Sequence, residues 1–564
     1  MTSFIYKTER PWPNARLREG VIVGHTTATT SKIWVRTGQP GDFSLLLYPT
    51  NMDGADAFRQ QLRQVPFDAI SKLPAGVRQS WFATDFSRDT TAVQTLTDLL
   101  PFTDYSYALY GTDISGNQRI LLGQDISKDK LAYSFRTLSD DAMRPISFGL
   151  YSCHMPYSES IFGSLQIENM EMWDSLAVTL RRHRERDQLA FLIGGGDQVY
   201  VDGVGSLNIW NYLNSCLKKN PGVIPSKDAM LSWYRDIYRG YWGFSQLREI
   251  FSQCPTYMIW DDHEFGDGWG SYFIKENSED DEMDEIFPDW KGNKLTYQDC
   301  VVLRQTMGEC AKQVYQEYQH SHNPNTGALF DYSISVNGTA LYFLDGRGYR
   351  DINQSAYRIL GKEQMERFGA WLSALDPKTT PFVFVISAVP LMHLSSSMVN
   401  ADNFAVDMAD LEDDLRDSWE HHLHEIERKE LVRLLFNAAN RGLKVSILSG
   451  DVHISAAFRM TDGNGNIIYQ LTSSAITYNV SRPMGWALGL GVEDTGTSDD
   501  GYSFKRLALY ADRNYAMVCV DPVTGNADFQ LYGPQSISHP SNEQNEQPIT
   551  HAMVKIELTF KQKQ

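Results

Sequence analysis

Four apolar runs, each ending abruptly in small and polar residues, dominate the hydrophobic pattern between residues 146 and 453. They read ISFGLYSC (146–153), LAFLIGGGD (189–197), TYMIWDDHE (256–264) and VSILSGDVH (445–453). A short continuous apolar run bounded by glycine and polar residues predicts a strand buried on both faces. Helical spacing alternates with these runs. Trp173, Leu176, Ala177 and Leu180 fall at i, i+3, i+4 and i+7, and Met365, Phe368 and Leu372 repeat that face before FVFVIS (382–387). A long charged stretch from Leu411 to Asn440 is expected to be helical up to Gly442. Helices alternating with buried strands predict an α/β sandwich over residues 141–564.

Residues 1–140 follow a different pattern. SKIWVRTG (31–38), LLLYP (45–49) and SYALYG (106–111) are short β-branched or aromatic runs between Gly, Pro, Asn and Asp, which predicts a small antiparallel β-sandwich. Leu100-Pro101-Phe102-Thr103-Asp104-Tyr105 resembles the tyrosine-bearing corner before a late strand of fibronectin III-like sandwiches. Leu138 to Pro145 is read as a linker, and the acidic segment Glu276–Asn293 as a surface insertion. Near the end, 516–533 predicts a hairpin turning at Asp521-Pro522 and Thr524-Gly525-Asn526. A low-complexity loop (Gln535 to Gln547) precedes a last strand, VKIELTF (554–560).

The chain has 564 residues and a formal net charge of −19, so an obligatory nucleic-acid partner, which needs a basic surface, is not expected. Six cysteines in this length do not form a disulfide scaffold; Cys216, Cys254, Cys300, Cys310 and Cys519 are read as buried thiols. The first twenty residues lack an apolar signal core and no run approaches a spanning helix, so no membrane partner is implied. A cytoplasmic location is expected, or a secreted or periplasmic one for a mature form.

The chemistry sits where the four runs end. A carboxylate at Asp197 is suited to bridging two cations. A phenolate three residues on, Tyr200, favours Fe(III) over Zn(II). The plainer reading is that Asp197 caps the next segment and Tyr200 packs beneath it. Cys153 closes its strand as a candidate thiolate ligand or a buried structural thiol, and His154 is read as a satisfied loop histidine. Asp261, Asp262, His263 and Glu264 cannot all aim one way, because successive strand residues face opposite sides. One carboxylate on a metal with the adjacent imidazole facing a phosphate is the useful arrangement. Asp451 and His453, two apart, can share a side. Arg347 and Arg350 are candidate phosphate clamps. The tract Trp419–Glu425, with His421, His422 and His424, lacks metal-protease spacing and is read as an exposed helix face.

Taken together, these blocks resemble the alkaline phosphatase D (PhoD-like) enzymes of the metallophosphoesterase superfamily. The resemblance runs through Gly20–His25, Lys32–Arg36, Ser152-Cys153, Gly196-Asp197 with Tyr200, and Trp260–Glu264. It continues through Leu344-Asp345 with Arg347 and Arg350, Asp417–Trp419, Glu427-Arg428, and Ser449–Asp451 with His453. It implies a four-layer αββα metallophosphoesterase-like sandwich behind an N-terminal fibronectin III-like β-sandwich. The function implied is a phosphomonoesterase or phosphodiesterase using a two-metal-activated hydroxide. Fe(III) with Ca(II) is the implied pair, with Zn(II), Mn(II) or Mg(II) as substitutes. Cys153, Asp197, Tyr200 and His453 would hold iron; Asp197, Asp262 and Asp451 would hold calcium. His263 would stand beside the phosphate of a small-molecule, lipid or nucleotide phosphoester. The alternative is a non-catalytic metal-binding recognition protein on the same scaffold.

Two departures from the pattern stand out. Where many relatives have a histidine after the strand matching FVFVIS, this chain reads Ser387-Ala388-Val389-Pro390, and His393 is off spacing. Gly266-Asp267-Gly268-Trp269 replaces an Asn-Asn-Trp.

Overall fold

The computed structural model describes residues 12–64, 72–112, 118–122, 133–276, 281–325, 327–354, 357–392, 416–478, 494–498, 500–538, 549–550 and 552–560. Among the described residues, eight strands form the N-terminal sandwich: β1 (Gly20–Thr26), β2 (Ser31–Arg36), β3 (Gly41–Pro49), β4 (Arg78–Thr84), β5 (Thr91–Leu96), β6 (Asp104–Thr112), β7 (Gln118–Leu122) and β8 (Tyr133–Arg136). One sheet runs β1-β2-β5 and the other β4-β3-β6-β7, with β8 also paired to β6. Between them lie Val23, Ile33, Val35, Leu45, Leu47, Tyr107, Leu109 and Phe135. The run LLLYP is continuous because its alternate residues, Leu46 and Tyr48, are buried on the opposite face under Phe58 and Leu62 of α1 (Ala55–Gln64). The expected corner is present: Leu100 N–H donates to the Tyr105 hydroxyl at 2.9 Å, just ahead of β6.

The larger part begins with β9 (Ile146–Tyr151), the hairpin β10 (Tyr157–Glu159) and β11 (Leu165–Ile167), α2 (Glu171–Glu185) and β12 (Leu189–Gly195). There follow α3 (Ile209–Lys219), α4 (Lys227–Tyr241), α5 (Ser245–Phe251), β13 (Thr256–Ile259), α6 (Glu282–Ile286) and α7 (Tyr297–Tyr318). Next come β14 (Tyr332–Val336), β15 (Thr339–Phe343), α8 (Gly361–Ala374), β16 (Phe382–Ile386), α9 (Glu425–Asn440) and β17 (Lys444–Ser449). The chain closes with β18 (Ser455–Thr461), β19 (Ile467–Thr472), β20 (Thr495–Thr497), β21 (Ser503–Tyr510), β22 (Tyr515–Asp521), β23 (Asn526–Tyr532), β24 (Ile537–Ser538), β25 (Ile549–Thr550) and β26 (Val554–Glu557).

Two sheets pack face to face. The six-stranded sheet has the order β13-β12-β9-β22-β23-β26, and the eight-stranded sheet β14-β15-β16-β17-β19-β18-β21-β20. Phe148, Phe191 and Tyr257 from the first meet Phe343, Phe384 and Leu448 from the second, with Phe148 and Phe384 edge-to-face at 5.4 Å. Outside the first sheet, Trp173, Leu176 and Leu180 of α2 pack near Tyr151, Leu192 and Met258. Outside the second, Phe368 and Leu372 of α8 and Leu431 and Leu435 of α9 cover Val383, Val385, Val445 and Ile447. The order is helix, sheet, sheet, helix. Each sequence run is unbroken because both faces of its strand are buried.

Three local expectations change. The segment 276–293 is not a purely surface insertion. Met283, Ile286, Phe287 and Trp290, at i, i+3, i+4 and i+7, are buried in and just after α6. The charged helix begins at Glu425 and not at Leu411, and residues 411–415 lie outside the described residues. Trp419, Glu420, His421 and His424 are therefore not an exposed helix face but buried in the turn before α9, where His424 Nε2 lies 2.8 Å from the Arg416 carbonyl. His393 and most of the loop before the last strand also lie outside the described residues. No helix among the described residues is long and apolar enough to cross a membrane.

Candidate functional site

Within each sheet the strands β9, β12 and β13, and β16 and β17, run parallel, so their C-terminal tips share one edge. That geometry brings the ends of the four runs together. Cys153, Asp197, Asp451 and His453 all have left-handed backbones there, with φ of 54°, 54°, 66° and 55°. Such conformations cost a non-glycine residue roughly 1–3 kcal/mol and cluster where chemistry demands them. Gly196 (φ 112°) leaves no room for a side chain, since a Cβ there would stand 3.0 Å from the Asp261 Cβ.

Carboxylate oxygens of Asp197, Asp261, Asp262 and Asp451 lie within 4.8 Å of one another, and a ring nitrogen of His263 joins Asp197 and Asp262 in the same way. Cys153 Sγ and the Tyr200 hydroxyl each lie 3.4 Å from Asp197 Oδ2. The His453 ring stacks on Tyr478 at 3.8 Å, Tyr478 lies parallel to Tyr200 at 5.8 Å, and Tyr200 stacks on His263 at 4.0 Å. Cys153, Asp197, Tyr200 and Asp262 are buried, while His263 and residues 451–453 are half-buried and form the open side.

The electrostatics suit a cation. Burial, reinforced by neighbouring carboxylates, pushes Asp451 well above the usual carboxylate range and Asp261 up to about 7. Burial also raises Asp197 well above that range, with His263 pulling the other way. Among the described residues Asp197 Oδ1 and Asp261 Oδ2 are buried without a hydrogen-bond partner, so their lone pairs are unspent. An oxygen-rich set of this kind fits a hard divalent or trivalent ion. Burial and then Asp197 and Asp451 push the Cys153 thiol up, so a thiolate there would require a strongly polarising ion.

The sequence reading gave Arg347 and Arg350 to the substrate phosphate; the structure gives both to carboxylates. Arg347 is fully buried: Nε pairs with Asp261, Nη1 donates to Asp417 at 2.7 Å, and Nη2 reaches Asp417 at 2.5 Å and Asp262 at 3.3 Å. Arg350 Nη2 pairs with Asp417 Oδ1 at 2.9 Å and its Nε donates to Ser271. The physical reason is local charge: both forks are buried, and the Asp-Asp block and Asp417 stand within ion-pair distance of them.

Other residues acquire roles that spacing alone did not signal. His263 Nδ1 lies 2.8 Å from Asp202 Oδ2, which fixes the ring; Asp202, Asp262 and Asp197 outweigh the downward pull of burial and raise its pKa well above the ordinary value. Glu264 accepts from the backbone N–H of Gln198 and Asp261, each at 2.7 Å, and from Gln319 Nε2 at 2.9 Å, tying the two acidic loops together. Glu427 accepts from Ile359 and Gly361 N–H at the start of α8. His154 is the satisfied histidine expected: Trp173 Nε1 donates to its Nδ1 at 3.2 Å, and Nε2 lies 3.2 Å from the Tyr241 carbonyl.

Comparison with known proteins agrees with this architecture. Over 98% of this chain and 92% of the other, the fold is similar to a solved structure of PhoD, at a TM-score of 0.61 and 14% identity. A purple acid phosphatase, PPD1 from yellow lupin seeds, is similar over 97% of this chain and 75% of that one, at 0.51 and 11%. In sequence, the uncharacterized protein YGR266W of Saccharomyces cerevisiae is 24% identical over 352 residues, 52% of this chain; the match spans about half of that relative, 49% of its length. The profile of the PhoD-like phosphatases matches residues 171–485, more than half of the chain and including the Gly-Asp, Asp-Asp-His-Glu and Gly-Asp-x-His blocks. By that match the chain belongs to the PhoD-like phosphatase family.

Proposed function

We propose that the protein is a metal-dependent phosphoester hydrolase. The observation that carries this reading is the group of four carboxylates at the tips of parallel strands, three buried and Asp451 half-buried, with His263 on its open side. Asp197, Cys153, Tyr200 and His453 are the residues proposed for an iron ion, and Asp197, Asp262 and Asp451 for a calcium ion. Bound cations would supply an acidified water and offset charge on the phosphoryl oxygens. His263, its Nδ1 held by Asp202, presents Nε2 to the open side, where it would hold a proton for the departing oxygen or a hydrogen bond for the phosphoryl group. Arg347 steadies Asp261 and Asp262 so that their oxygens stay directed at the cluster. The proposed substrates are small-molecule phosphate mono- or diesters.

The test pairs turnover of bis-p-nitrophenyl phosphate with metal analysis of the purified protein. Asp197→Asn should remove most activity and lower metal content, because an amide is a weaker ligand than a carboxylate. A fully active variant with normal metal content would overturn the assignment of Asp197, and metal-loaded protein inert towards all phosphoesters would overturn the activity.

A further inference from the structure

Ser152, at the tip of β9, and Ser473 and Ser474, at the tip of β19, are fully buried beside the proposed iron ligands. Among the described residues the Ser474 hydroxyl is the polar group nearest to the Cys153 sulfur, at 3.0 Å. The Ser152 hydroxyl lies at 3.3 Å, and Asp197 Oδ2 and the Asp451 carbonyl each at 3.4 Å. A hydroxyl has one proton to give and two lone pairs, so counting protons decides what each serine can do for the sulfur. Ser474 Oγ accepts from the His453 backbone N–H at 3.1 Å, and among the described residues the sulfur is the partner left for its own proton. The Ser152 hydroxyl has another acceptor, the Ser473 carbonyl at 3.1 Å. A thiolate has no proton and can only accept, and Ser474 is the group placed to donate to it.

The hydroxyl is also held in place from behind. Ser474 N–H donates to Ser455 Oγ at 3.0 Å, and the Ser474 carbonyl accepts from Asn514 Nδ2 at 3.0 Å. Ser455 Oγ in turn donates to Asn514 Oδ1 at 2.9 Å, which closes a ring of three buried residues. A buried network of this kind, with its members satisfied, rigidifies what it holds. Through one oxygen, Ser474 then links the backbone of His453 to the sulfur of Cys153.

We propose that Ser474 is a positioning residue for the thiolate: it donates a hydrogen bond to Cys153 Sγ in the iron-loaded protein and weakens the donation of sulfur electrons to the metal. The proposal rests on the iron reading above. Hydrogen bonds to a ligating sulfur are one of the means by which a protein sets the potential of its metal. Such a bond draws density from the sulfur lone pairs. Moving an electron from sulfur to Fe(III) then costs more energy, and Fe(III) is less favoured relative to Fe(II).

Visible spectra and reductive titration of the iron-loaded full chain test it. The component of the visible band that Cys153→Ser removes should move to longer wavelength in Ser474→Ala, and the iron should become harder to reduce. Iron content and far-ultraviolet dichroism should stay near those of the unaltered protein, because the His453 N–H keeps the Asp451 carbonyl, at 2.7 Å, as an acceptor. Ser152→Ala, whose hydroxyl has the Ser473 carbonyl to bond, should move the band less. A second measurement needs no variant: in unaltered protein loaded with iron in heavy water, the iron–sulfur stretch seen by resonance Raman should shift from its position in ordinary water. A sulfur band and potential unmoved in folded, iron-loaded Ser474→Ala, a shift no larger than that of Ser152→Ala, or a stretch indifferent to heavy water would overturn the proposal and leave the iron reading standing. Unaltered protein that takes up no iron and stays colourless would overturn both.

Discussion

At the scale of single residues, the site divides into groups that would touch a cation and groups that hold those in place. His263 lies on the open side with Asp202 behind it, and the reading gives it a proton or hydrogen bond to handle rather than a sole hold on metal. His263→Ala should therefore lower turnover by roughly 10²–10⁴-fold, the range for losing a general acid or base. Metal content should stay near that of the unaltered protein; a variant that sheds its metals would make His263 a ligand instead. The hydroxyl of Tyr200 and the sulfur of Cys153 converge on one oxygen of Asp197. On the proposed Fe(III) both would become anionic, electron-rich donors, so iron-loaded protein should be coloured. Tyr200→Phe should shift or bleach that band while far-ultraviolet dichroism is unchanged, and Cys153→Ser should alter it independently. Zn(II), a d¹⁰ ion, gives no such band, so colourless protein that is fully active with stoichiometric zinc would rule out the iron assignment.

At the scale of elements, the two acidic loops are coupled by one side chain. Glu264 accepts from backbone donors on both the β12 and the β13 loops, and all of these groups are buried. Removing it leaves several donors unsatisfied, at about 1–3 kcal/mol each. Glu264→Ala should lower the thermal midpoint and, by freeing Asp197 and Asp262 to move apart, reduce metal content even though Glu264 is not proposed as a ligand. Wild-type metal content in a destabilised Glu264→Ala protein would separate the two effects and remove its positioning role. The same logic explains why the arginines disappointed the sequence reading. LDGRGYR looks like a solvent-facing loop after a strand, but Asp417, seventy residues away, arrives between Arg347 and Arg350 only when the layers assemble.

At the scale of the whole molecule, the N-terminal sandwich and the α/β core share contacts rather than a bare linker. Trp34 Nε1 donates to the Glu317 carbonyl at 2.7 Å, Lys32 Nζ to that of Asn323 at 2.5 Å, and the Tyr107 hydroxyl to that of Ser252 at 2.6 Å. His320 and His322 lie buried at this junction, and burial depresses their pKa values to about 4 and about 3. In the unfolded chain each titrates near ~6.5. Above that value both states are neutral; below it the unfolded chain takes up protons that the folded protein refuses. Stability should therefore fall as pH drops from about 6.5 towards 4, by roughly 1.4 kcal/mol per pH unit for each such histidine. Urea midpoints between neutral and mildly acidic pH should show this slope, and His322→Gln should flatten it; an unchanged slope would show that another group drives the acid sensitivity. Much of this molecule was legible in the order of its residues. The parallel strands announced themselves as unbroken apolar runs because both of their faces are buried, and the ligand blocks stood at their ends because a parallel sheet gathers its C-terminal tips at one edge. Helices α2 and α8 followed from their spacing. The spacing of Met283, Ile286, Phe287 and Trp290 was equally regular, but the acidic residues around it masked the signal. What no local pattern carried was partnership across distance: Asp417 with Arg347, Asp202 with His263, Tyr478 on His453, and the buried turn before α9. Periodicity reports which face of an element is buried, since that depends on neighbours one turn or one pleat away. Which charged group meets which depends on how layers stack, and only the tertiary structure decides that.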